Sequence, residues 1–413
     1  MIVKISRYIL VLSAIVGFSM VLPQLYWMAF SEPDKPAFIM YSCIKNDFMI
    51  IDRDADAMQW RDTKGNSYPR NEFEKNLPLF YYRQLMLANT MPDSINGVAM
   101  DMHSINYNRT IFSISPNELD APVAELYPLF EAESGRANIE MPDDFFRIGW
   151  RMEFIDAKTN KILEEKSRMF SAVLYKRGFE FPAKSINGIP TPQKSIDEGY
   201  LVTDSKNQLF HIKMLQGKPY VVKVNLPSGL KFKAISCQDF RNKRFYAYLF
   251  STSNELYILT QDEYELIKFP VSGIDPQKYK IRILGDLFHY NISITSNDFI
   301  KVYAVDSDYN YVDEYQEFRH PANNAKAAKV FKALFPWQIK LKDENSTYIR
   351  FFSRFNSSFY WIILSTILVA TQIFIVKKRK ARLKNNFIDF LAIGISGIFG
   401  FLAVNIFPNK FYD

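Results

Sequence analysis

The chain has 413 residues, of which 48% are hydrophobic and 16% aromatic, and its formal net charge is +7. The charge is unevenly distributed, because basic residues near the two ends account for the whole positive excess and residues 31–356 carry no net charge. A folded domain that binds nucleic acid presents a basic face. The distribution therefore predicts no nucleic-acid partner, and it directs attention to the ends of the chain.

The first predicted element is an apolar helix near the N-terminus. Residues 8–30 contain no charged side chain, and a segment of this length can cross a bilayer. Lys4 and Arg7 precede it. Residues 1–30 are therefore predicted to form a transmembrane helix with its N-terminus in the cytoplasm. The alternative is a cleaved signal peptide, for which Ala29-Phe30-Ser31 loosely resembles a cleavage site. Both interpretations place the following domain outside the cytoplasm.

Residues 31–175 are predicted to form an extracytoplasmic α/β part. Ser115-Pro116-Asn117-Glu118 is a capping box with proline at the first helical position, and it predicts a helix that continues to Leu129-Phe130. A second helix is expected over residues 71–88, where Pro78 interrupts it.

Residues 176–320 are predicted to be β-rich, because short alternating apolar runs are separated by turn residues. Three similar segments contain Asn207, Asn254 and Asn297, at spacings of 47 and 43 residues. Looser echoes occur around Asn160 and Asn46. A strand, an Asn-containing turn, a strand and a return strand at this period are typical of a propeller-like fold. The alternative is an ordinary antiparallel meander with similar hairpins.

Residues 321–356 are predicted to form a helical stem next to the membrane. Residues 325–334 have helical character. Residues 347–356 mix arginines with phenylalanines, which is typical of an interfacial segment that leads into a membrane helix.

Residues 357–408 are predicted to form a transmembrane helical hairpin. Two apolar segments, 359–376 and 387–406, are each long enough to span a bilayer. The link over residues 377–386 contains six basic residues, namely Lys377, Lys378, Arg379, Lys380, Arg382 and Lys384. Positive loops stay in the cytoplasm, so three crossings with an extracytoplasmic C-terminus are expected. The predicted fold class is a membrane-anchored α+β protein with a β-rich, propeller-like extracytoplasmic domain, inserted helices and three transmembrane helices.

Two features of the last segment suggest packing. Ala392, Ser396 and Gly400 are four residues apart and would form a face that lets another helix approach closely, either within the chain or in a partner. Asp389 lies one turn into the segment, and we expect it to reach the interface or to pair with a nearby Lys or Arg.

The residues that could support chemistry are few. An extracytoplasmic location permits a disulfide between Cys43 and Cys237, and two separate buried thiols are the alternative. Met100-Asp101-Met102-His103 contains copper-type ligands, but strand alternation would place the two methionines in the core.

Acidic and histidine residues give no stronger signal. Asp306-Ser307-Asp308-Tyr309-Asn310 with Glu317 partly matches a calcium loop, although Tyr311 occupies the glycine position, and a hairpin turn explains the same residues. The remaining histidines, His211, His289 and His320, share no metal-ligand spacing. No catalytic or dinucleotide motif is present. The sequence therefore predicts no catalytic residue, no cofactor and no metal.

The chain resembles an uncharacterised family of membrane proteins from Bacteroidales that have a periplasmic β-rich domain of unknown function. The resemblance rests on residues 77–86 (LPLFYYRQLM), 141–144 (MPDD), 178–183 (GFEFPA) and 197–200 (DEGY). It covers most of the extracytoplasmic region and transfers no catalytic residues. The resemblance implies an inner-membrane protein that faces the periplasm and accompanies the subunits of ABC transporters.

Three hypotheses for function follow. The first is a non-enzymatic, multi-pass protein of the cell inner membrane whose large periplasmic domain serves an ABC-type transport system as an accessory or partner-binding subunit. Its partners would be the lipid bilayer and a transporter permease. The second is an envelope sensor or ligand-binding receptor. The third is an envelope hydrolase, for which a solvent-exposed cluster of carboxylates or histidines would be needed.

Overall fold

The computed structural model describes residues 2–30, 36–53, 58–319, 325–343 and 345–409. The chain divides into two compact units. Residues 36–318 form one, the sheet unit, and residues 1–35 with 319–413 form the other, the helical unit. The predicted boundary at residue 175 falls inside the sheet unit.

The helices in the described residues are α1 (Ile2–Phe30), α2 (Arg70–Asn76), α3 (Tyr82–Leu87), α4 (Met102–Asn108), α5 (Pro116–Leu119), α6 (Glu164–Lys176), α7 (Ala325–Leu334), α8 (Tyr360–Lys378), α9 (Phe387–Ser396) and α10 (Ile398–Ile406). A 3-10 turn covers Leu383–Asn386.

The strands begin with β1 (Phe38–Ser42), β2 (Asp47–Arg53), β3 (Met58–Asp62), β4 (Ser94–Ile95), β5 (Val98–Ala99), β6 (Thr110–Ile114), β7 (Asp144–Ile148) and β8 (Met152–Asp156). They continue with β9 (Ser185–Gly188), β10 (Tyr200–Thr203), β11 (Leu209–Leu215), β12 (Lys218–Val224), β13 (Phe232–Cys237), β14 (Phe245–Ser251), β15 (Leu256–Thr260) and β16 (Leu266–Lys268). The last are β17 (Lys280–Gly285), β18 (His289–Thr295), β19 (Phe299–Asp306), β20 (Tyr311–Phe318), β21 (Trp337–Lys340) and β22 (Phe352–Phe355).

The core of the sheet unit consists of small antiparallel sheets that pack face to face in a row. The hairpin β7–β8 and helix α6 pack on the sheet β9–β12, which packs on β13–β16. The sheet β17–β20, which β6 extends at its edge, packs on β13–β16 and, with its other face, on β1–β3. Each inner sheet therefore buries both faces.

Strand β14 shows how the sequence achieves this. All seven of its residues are buried, and six of them are apolar or aromatic, as expected for a strand that is covered on both faces. Tyr246 and Leu249 face the sheet β9–β12, while Tyr248 and Phe250 face the sheet β17–β20. A bulge between Phe245 and Ala247 shifts the register within the strand.

The three predicted turns each join the second and third of four consecutive antiparallel strands. Only two of them have a left-handed asparagine, because Asn297, between β18 and β19, does not have a positive φ. Asn207 lies between β10 and β11 with φ of +62°, and Asn254 lies between β14 and β15 with φ of +63°. Asn46 and Asn160, in the two more loosely similar segments, also have left-handed backbone conformations, with φ of +50° and +56°. Asparagine tolerates this conformation at lower cost than most residues, which is why the turn signal was readable from sequence.

The prediction of a propeller-like fold is wrong, because among the described residues the sheets do not close into a propeller or a barrel. A propeller repeats equivalent four-stranded blades around a central channel. Here the row begins with a two-stranded hairpin backed by α6, and the sheet β17–β20 takes its fifth strand, β6, from a distant part of the chain.

Two helix predictions in the sheet unit have different outcomes. The predicted break near Pro78 is confirmed, since α2 ends at Asn76 and α3 starts at Tyr82. The helix predicted from the capping box is too long, because α5 ends at Leu119. Pro122 follows within three residues and disfavours helical backbone before it.

In the helical unit, two helices are long and apolar enough to cross a membrane, at Lys4–Phe30 and Tyr360–Lys378. The helix predicted over residues 325–334 is confirmed as α7. The stem is not wholly helical, because β21 and β22 form an antiparallel hairpin in which Trp337 pairs with Phe355. In β21 the apolar Trp337 and Ile339 alternate with polar residues, a period that suits a strand better than a helix.

The third predicted crossing is wrong as a single helix. The chain breaks at Gly397, whose φ of +58° and ψ of −128° lie outside the helical region. Glycine adopts such angles at little cost because it lacks a Cβ atom. The products are α9 and α10, of ten and nine residues. The extracytoplasmic location predicted for the C-terminus concerns residues 410–413, which lie outside the described residues.

Candidate functional site

The sheet unit contains a recess between the sheets β9–β12 and β13–β16. The enclosed cavity has a volume of only about 10 Å³, which is room for about one water molecule. The apolar part of the lining includes Ile189, Ile196 and Tyr246. The polar part combines a lysine, a glutamate, a histidine and a cysteine, namely Lys194, Glu198, His211 and Cys237. This mixture makes the recess the candidate site of the sheet unit.

A buried ion pair forms one wall. The Lys194 ammonium lies 2.6 Å from Oδ1 of Asp197, and the two side chains are 5% and 2% exposed. Lys194 also donates to the carbonyl of Ile189 and lies over the ring of Phe130. Burial raises the pKa of the Asp197 carboxyl, and the neighbouring ammonium opposes that shift. The pair fixes the loop that precedes β10.

His211 occupies the centre of the interface between the two sheets and is buried. Its Nε2 atom lies 2.5 Å from the carbonyl oxygen of Glu198, and its Nδ1 atom lies 2.8 Å from the hydroxyl of Tyr264. The ring also packs on Tyr246 at 4.5 Å between centroids. Burial lowers the pKa of His211 to about 3, so the imidazole is neutral at ordinary pH.

The segment 197–200 joins the recess to the core. Gly199 has φ of +67°, and a Cβ atom there would lie 2.2 Å from the carbonyl oxygen of Ile212. Glu198 binds the Lys213 ammonium at 2.6 Å. The buried Tyr200 donates its hydroxyl to the carbonyl of Pro128 at 2.7 Å. These contacts give the segment a structural role in holding β10 against β11.

The other lining group with nucleophilic potential is Cys237. Its thiol donates to the carbonyl of Asn187 at 3.3 Å, and burial raises its pKa to about 12. A thiol in this state is protonated and weakly nucleophilic. Lys194, His211 and Cys237 are thus each engaged by a neighbour within the protein. The arrangement suits recognition of a small group at the mouth of the recess better than proton transfer.

The metal-like motifs fold as ordinary local structure. Asp306 Oδ1 accepts from the backbone N–H groups of Asp308 and Asn310, which makes the predicted calcium loop the turn between β19 and β20. Glu317 is bound to Arg61 at 2.8 Å. No group of three or more His, Cys, Asp or Glu residues that could hold a metal occurs within the described ranges.

Met100–His103 does not form the expected strand. Asp101 caps α4, because the N–H of Ser104 donates to its Oδ1 at 2.8 Å, and His103 stacks on Tyr107 one turn later. His289 lies on β18, against the ring of Tyr41. His320 lies outside the described residues.

The two cysteines are free, with Cys43 buried and Cys237 partly buried. Of the two alternatives left by the sequence, separate thiols are therefore confirmed.

The helical unit contains a second polar site. Arg7 of α1 makes a bidentate contact with Asp389 of α9, at 2.9 Å and 2.8 Å, and the side chains are 8% and 2% exposed. Its Nε atom donates to the carbonyl of Phe407, just after α10, at 2.8 Å. The expected pairing of Asp389 is confirmed, but its partner belongs to the N-terminal helix rather than to the basic link.

The small-residue face is used inside the unit. Ser396 and Gly400 are buried, and the Ser396 hydroxyl donates to the carbonyl of Ala392. A Cβ atom on Gly400 would lie 2.7 Å from the same carbonyl. Of the two alternatives, the structure places these residues where α9 and α10 pack on each other, as close backbone approach requires.

Sequence reasoning missed the Lys194–Asp197 pair, the position of His211 and the partner of Asp389. Lys194 and Asp197 are three residues apart in a loop, where spacing carries little information. Asp389 and Arg7 are separated by 382 positions, so no local pattern could connect them.

Together, a domain of face-to-face antiparallel sheets and a unit of apolar helices define the class of this protein as mixed α+β. The chain belongs to the family described as domain of unknown function DUF4857, which matches residues 38–305. The match lies within the sheet unit and leaves the helical unit outside it. No curated protein matches the chain.

Proposed function

We propose that the protein is a non-enzymatic accessory subunit of an ABC-type transport system, anchored in the inner membrane. In this proposal the sheet unit lies in the periplasm and the N-terminus lies in the cytoplasm. The helical unit contacts lipid on one side and the transporter permease on another.

The observation that carries the proposal is the exposed apolar surface of α1 and α8. Only 22% and 17% of their apolar windows are buried in the protein. On α8, Ile363, Ile367 and Phe374 are 61%, 56% and 66% exposed, and their spacing places them on one side of the helix. Side chains of this kind need lipid or another helix as a neighbour, because exposing them to water is unfavourable.

Charge supports the proposed orientation. The six basic residues of the link are all exposed, and none of them forms an ion pair among the described residues. Lys4, before the apolar part of α1, contributes a further positive charge. Basic segments at the end of a membrane helix usually stay in the cytoplasm, which supports an orientation with the opposite end of α8 outside.

The lining of the recess suggests a second candidate function, a ligand-binding receptor of the envelope, which requires the recess to open because its cavity has room for about one water molecule. Apolar walls with a few oriented polar groups are the usual composition of a small-molecule site. In this alternative the ligand would sit near Ile196 and Tyr246, and no transporter would be needed.

Copurification tests the proposal. The full-length protein, extracted in a mild detergent after crosslinking in native membranes, should carry a transporter permease in a fixed ratio. A variant with Ile363→Ala and Ile367→Ala should lose that partner, and a control with Leu87→Ala, an exposed residue of the sheet unit, should keep it. A chain that is always recovered alone would contradict the proposal, and a ligand-dependent rise in melting temperature would then favour the receptor.

A further inference from the structure

One arginine side chain touches both ends of the α9–α10 segment. Arg7 binds the carboxylate of Asp389, in the first turn of α9, and the carbonyl of Phe407, just after α10. These two residues are 18 positions apart in sequence, so a straight helix would separate them by about 27 Å. A single guanidinium can reach both only if the segment folds back on itself.

The fold-back occurs at Gly397. The N–H of Gly397 closes the last turn of α9 by donating to Ile393, and the N–H of Phe401 donates to Gly397 in the first turn of α10. A Cβ atom at Gly397 would lie 3.1 Å from Oγ of Ser365, which places this tip beside the early part of α8. The hairpin thus has its tip at one level of α8 and its two ends at another.

Two further contacts fix the direction of the arms. The side chain of Asn409 donates to the carbonyl of Asn385 at 3.0 Å, so the residues that flank the hairpin also meet. Asn405 of α10 donates to Gln372 of α8 at 2.9 Å.

The depths agree. From Ser365 to Gln372 the rise along α8 is about 10 Å, and from Gly397 to Asn405 the rise along α10 is about 12 Å. α10 therefore runs back alongside α8 toward the basic segment.

From these contacts we infer that α9 and α10 form a re-entrant hairpin, which enters and leaves the membrane on the side of Arg7 and the basic link. The inference rests on the membrane anchoring in the proposed function. Each arm is about 14–15 Å long, which is half of a hydrocarbon core of about 30 Å. The hairpin occupies one leaflet, and Asn409 lies on the same side of the membrane as Arg7.

The polar groups of the segment suit this arrangement. Asp389 would be costly in a lipid-facing position, but it is paired with Arg7 and lies close to the basic end. Backbone that leaves the helical conformation at membrane depth is tolerated only where protein covers it, and Gly397 is packed against Ser365 and Pro336.

Cysteine crosslinking tests the fold-back without reference to the membrane. In full-length protein with Cys43→Ala and Cys237→Ala, the pair Asn385→Cys and Asn409→Cys should form a disulfide on mild oxidation in detergent. The control pair Asn385→Cys and Ile398→Cys, which joins the base to the tip, should not. A continuous helix would place residue 409 about 36 Å from residue 385, and failure of the first pair to crosslink would overturn the hairpin.

Labelling with a membrane-impermeant maleimide tests the sidedness. In intact spheroplasts, Trp150→Cys in the sheet unit should react, while Lys384→Cys and Asp413→Cys should react only after permeabilisation. Reaction of Asp413→Cys together with Trp150→Cys, with Lys384→Cys protected, would overturn the inference in favour of a full crossing. Reaction of all three, or release of the chain by alkaline carbonate, would overturn the membrane anchoring itself.

Discussion

Replacing Arg7 by methionine should strongly destabilise the helical unit. Methionine keeps a long apolar side chain but leaves the Asp389 carboxylate without its cation. That carboxylate is 2% exposed and accepts two hydrogen bonds from the guanidinium. The Phe407 carbonyl loses its donor as well.

The magnitude follows from the burial of the pair. Removal of one partner of a buried ion pair costs about 3–5 kcal/mol, because an uncompensated charge remains away from water. Replacement of both partners by apolar residues is often close to neutral. We therefore expect a loss of about 3–5 kcal/mol for Arg7→Met, and recovery of most of that loss in the double variant Arg7→Met with Asp389→Leu.

Unfolding in mixed detergent and dodecyl sulfate micelles provides the assay. Trp27 stacks on Phe331 at 4.7 Å between ring centroids, so its fluorescence reports on the helical unit. A background with Trp60→Phe and Trp150→Phe removes the tryptophans of the sheet unit from the signal. The variant Ile9→Met, at an exposed position of the same helix, is the control and should change the free energy of unfolding by less than about 0.5 kcal/mol.

A loss below about 1 kcal/mol for Arg7→Met would refute the reasoning, because an exposed ion pair is worth no more than that. Equal losses in the single and double variants would refute it too, since the two side chains would then act independently.

Three other changes have defined outcomes. Below about pH 6 the stability of the sheet unit should fall by about 1.4 kcal/mol per pH unit, because unfolded His211 takes up a proton near its ordinary pKa of 6.5 while folded His211, with a pKa of about 3, does not. Urea titrations across this range should show the slope, and it should weaken in His211→Gln. Gly199→Ala should cost more than about 2 kcal/mol, because its φ is +67° and its Cβ would meet Ile212, and it should lower the melting temperature of the sheet unit. Gly397→Ala should cost about 1–3 kcal/mol through its φ of +58°, whereas Gly394→Ala, in the open interior of α9, should be neutral or stabilising, as paired mixed-micelle unfolding curves would show.

Local chemistry explains what the sequence could predict. The turns at Asn207 and Asn254 depend on side chains that favour left-handed backbone, and that preference is visible in a few residues. The break near Pro78 and the apolar helices α1 and α8 are likewise properties of short windows.

The remaining features depend on contacts between distant residues. Nothing near Asp389 reveals Arg7 as its partner, and glycines such as Gly397 are common in continuous membrane helices. The strand β6 joins the edge of β17 from about 170 positions earlier in the chain, which no periodic pattern of the later strands predicts. His211 looked isolated because its partners, the Glu198 carbonyl and the Tyr264 hydroxyl, come from separate strands and loops.

Photocrosslinking in native membranes tests the central proposal, an anchored subunit with a membrane-protein partner, most directly. A photoreactive amino acid at Ile363 or Phe374, on the exposed side of α8, should give a covalent adduct with one membrane protein of defined mass, a transporter permease. The same amino acid at the buried Ser365 should give no intermolecular adduct. Adducts with lipid alone from both exposed positions would contradict the proposal.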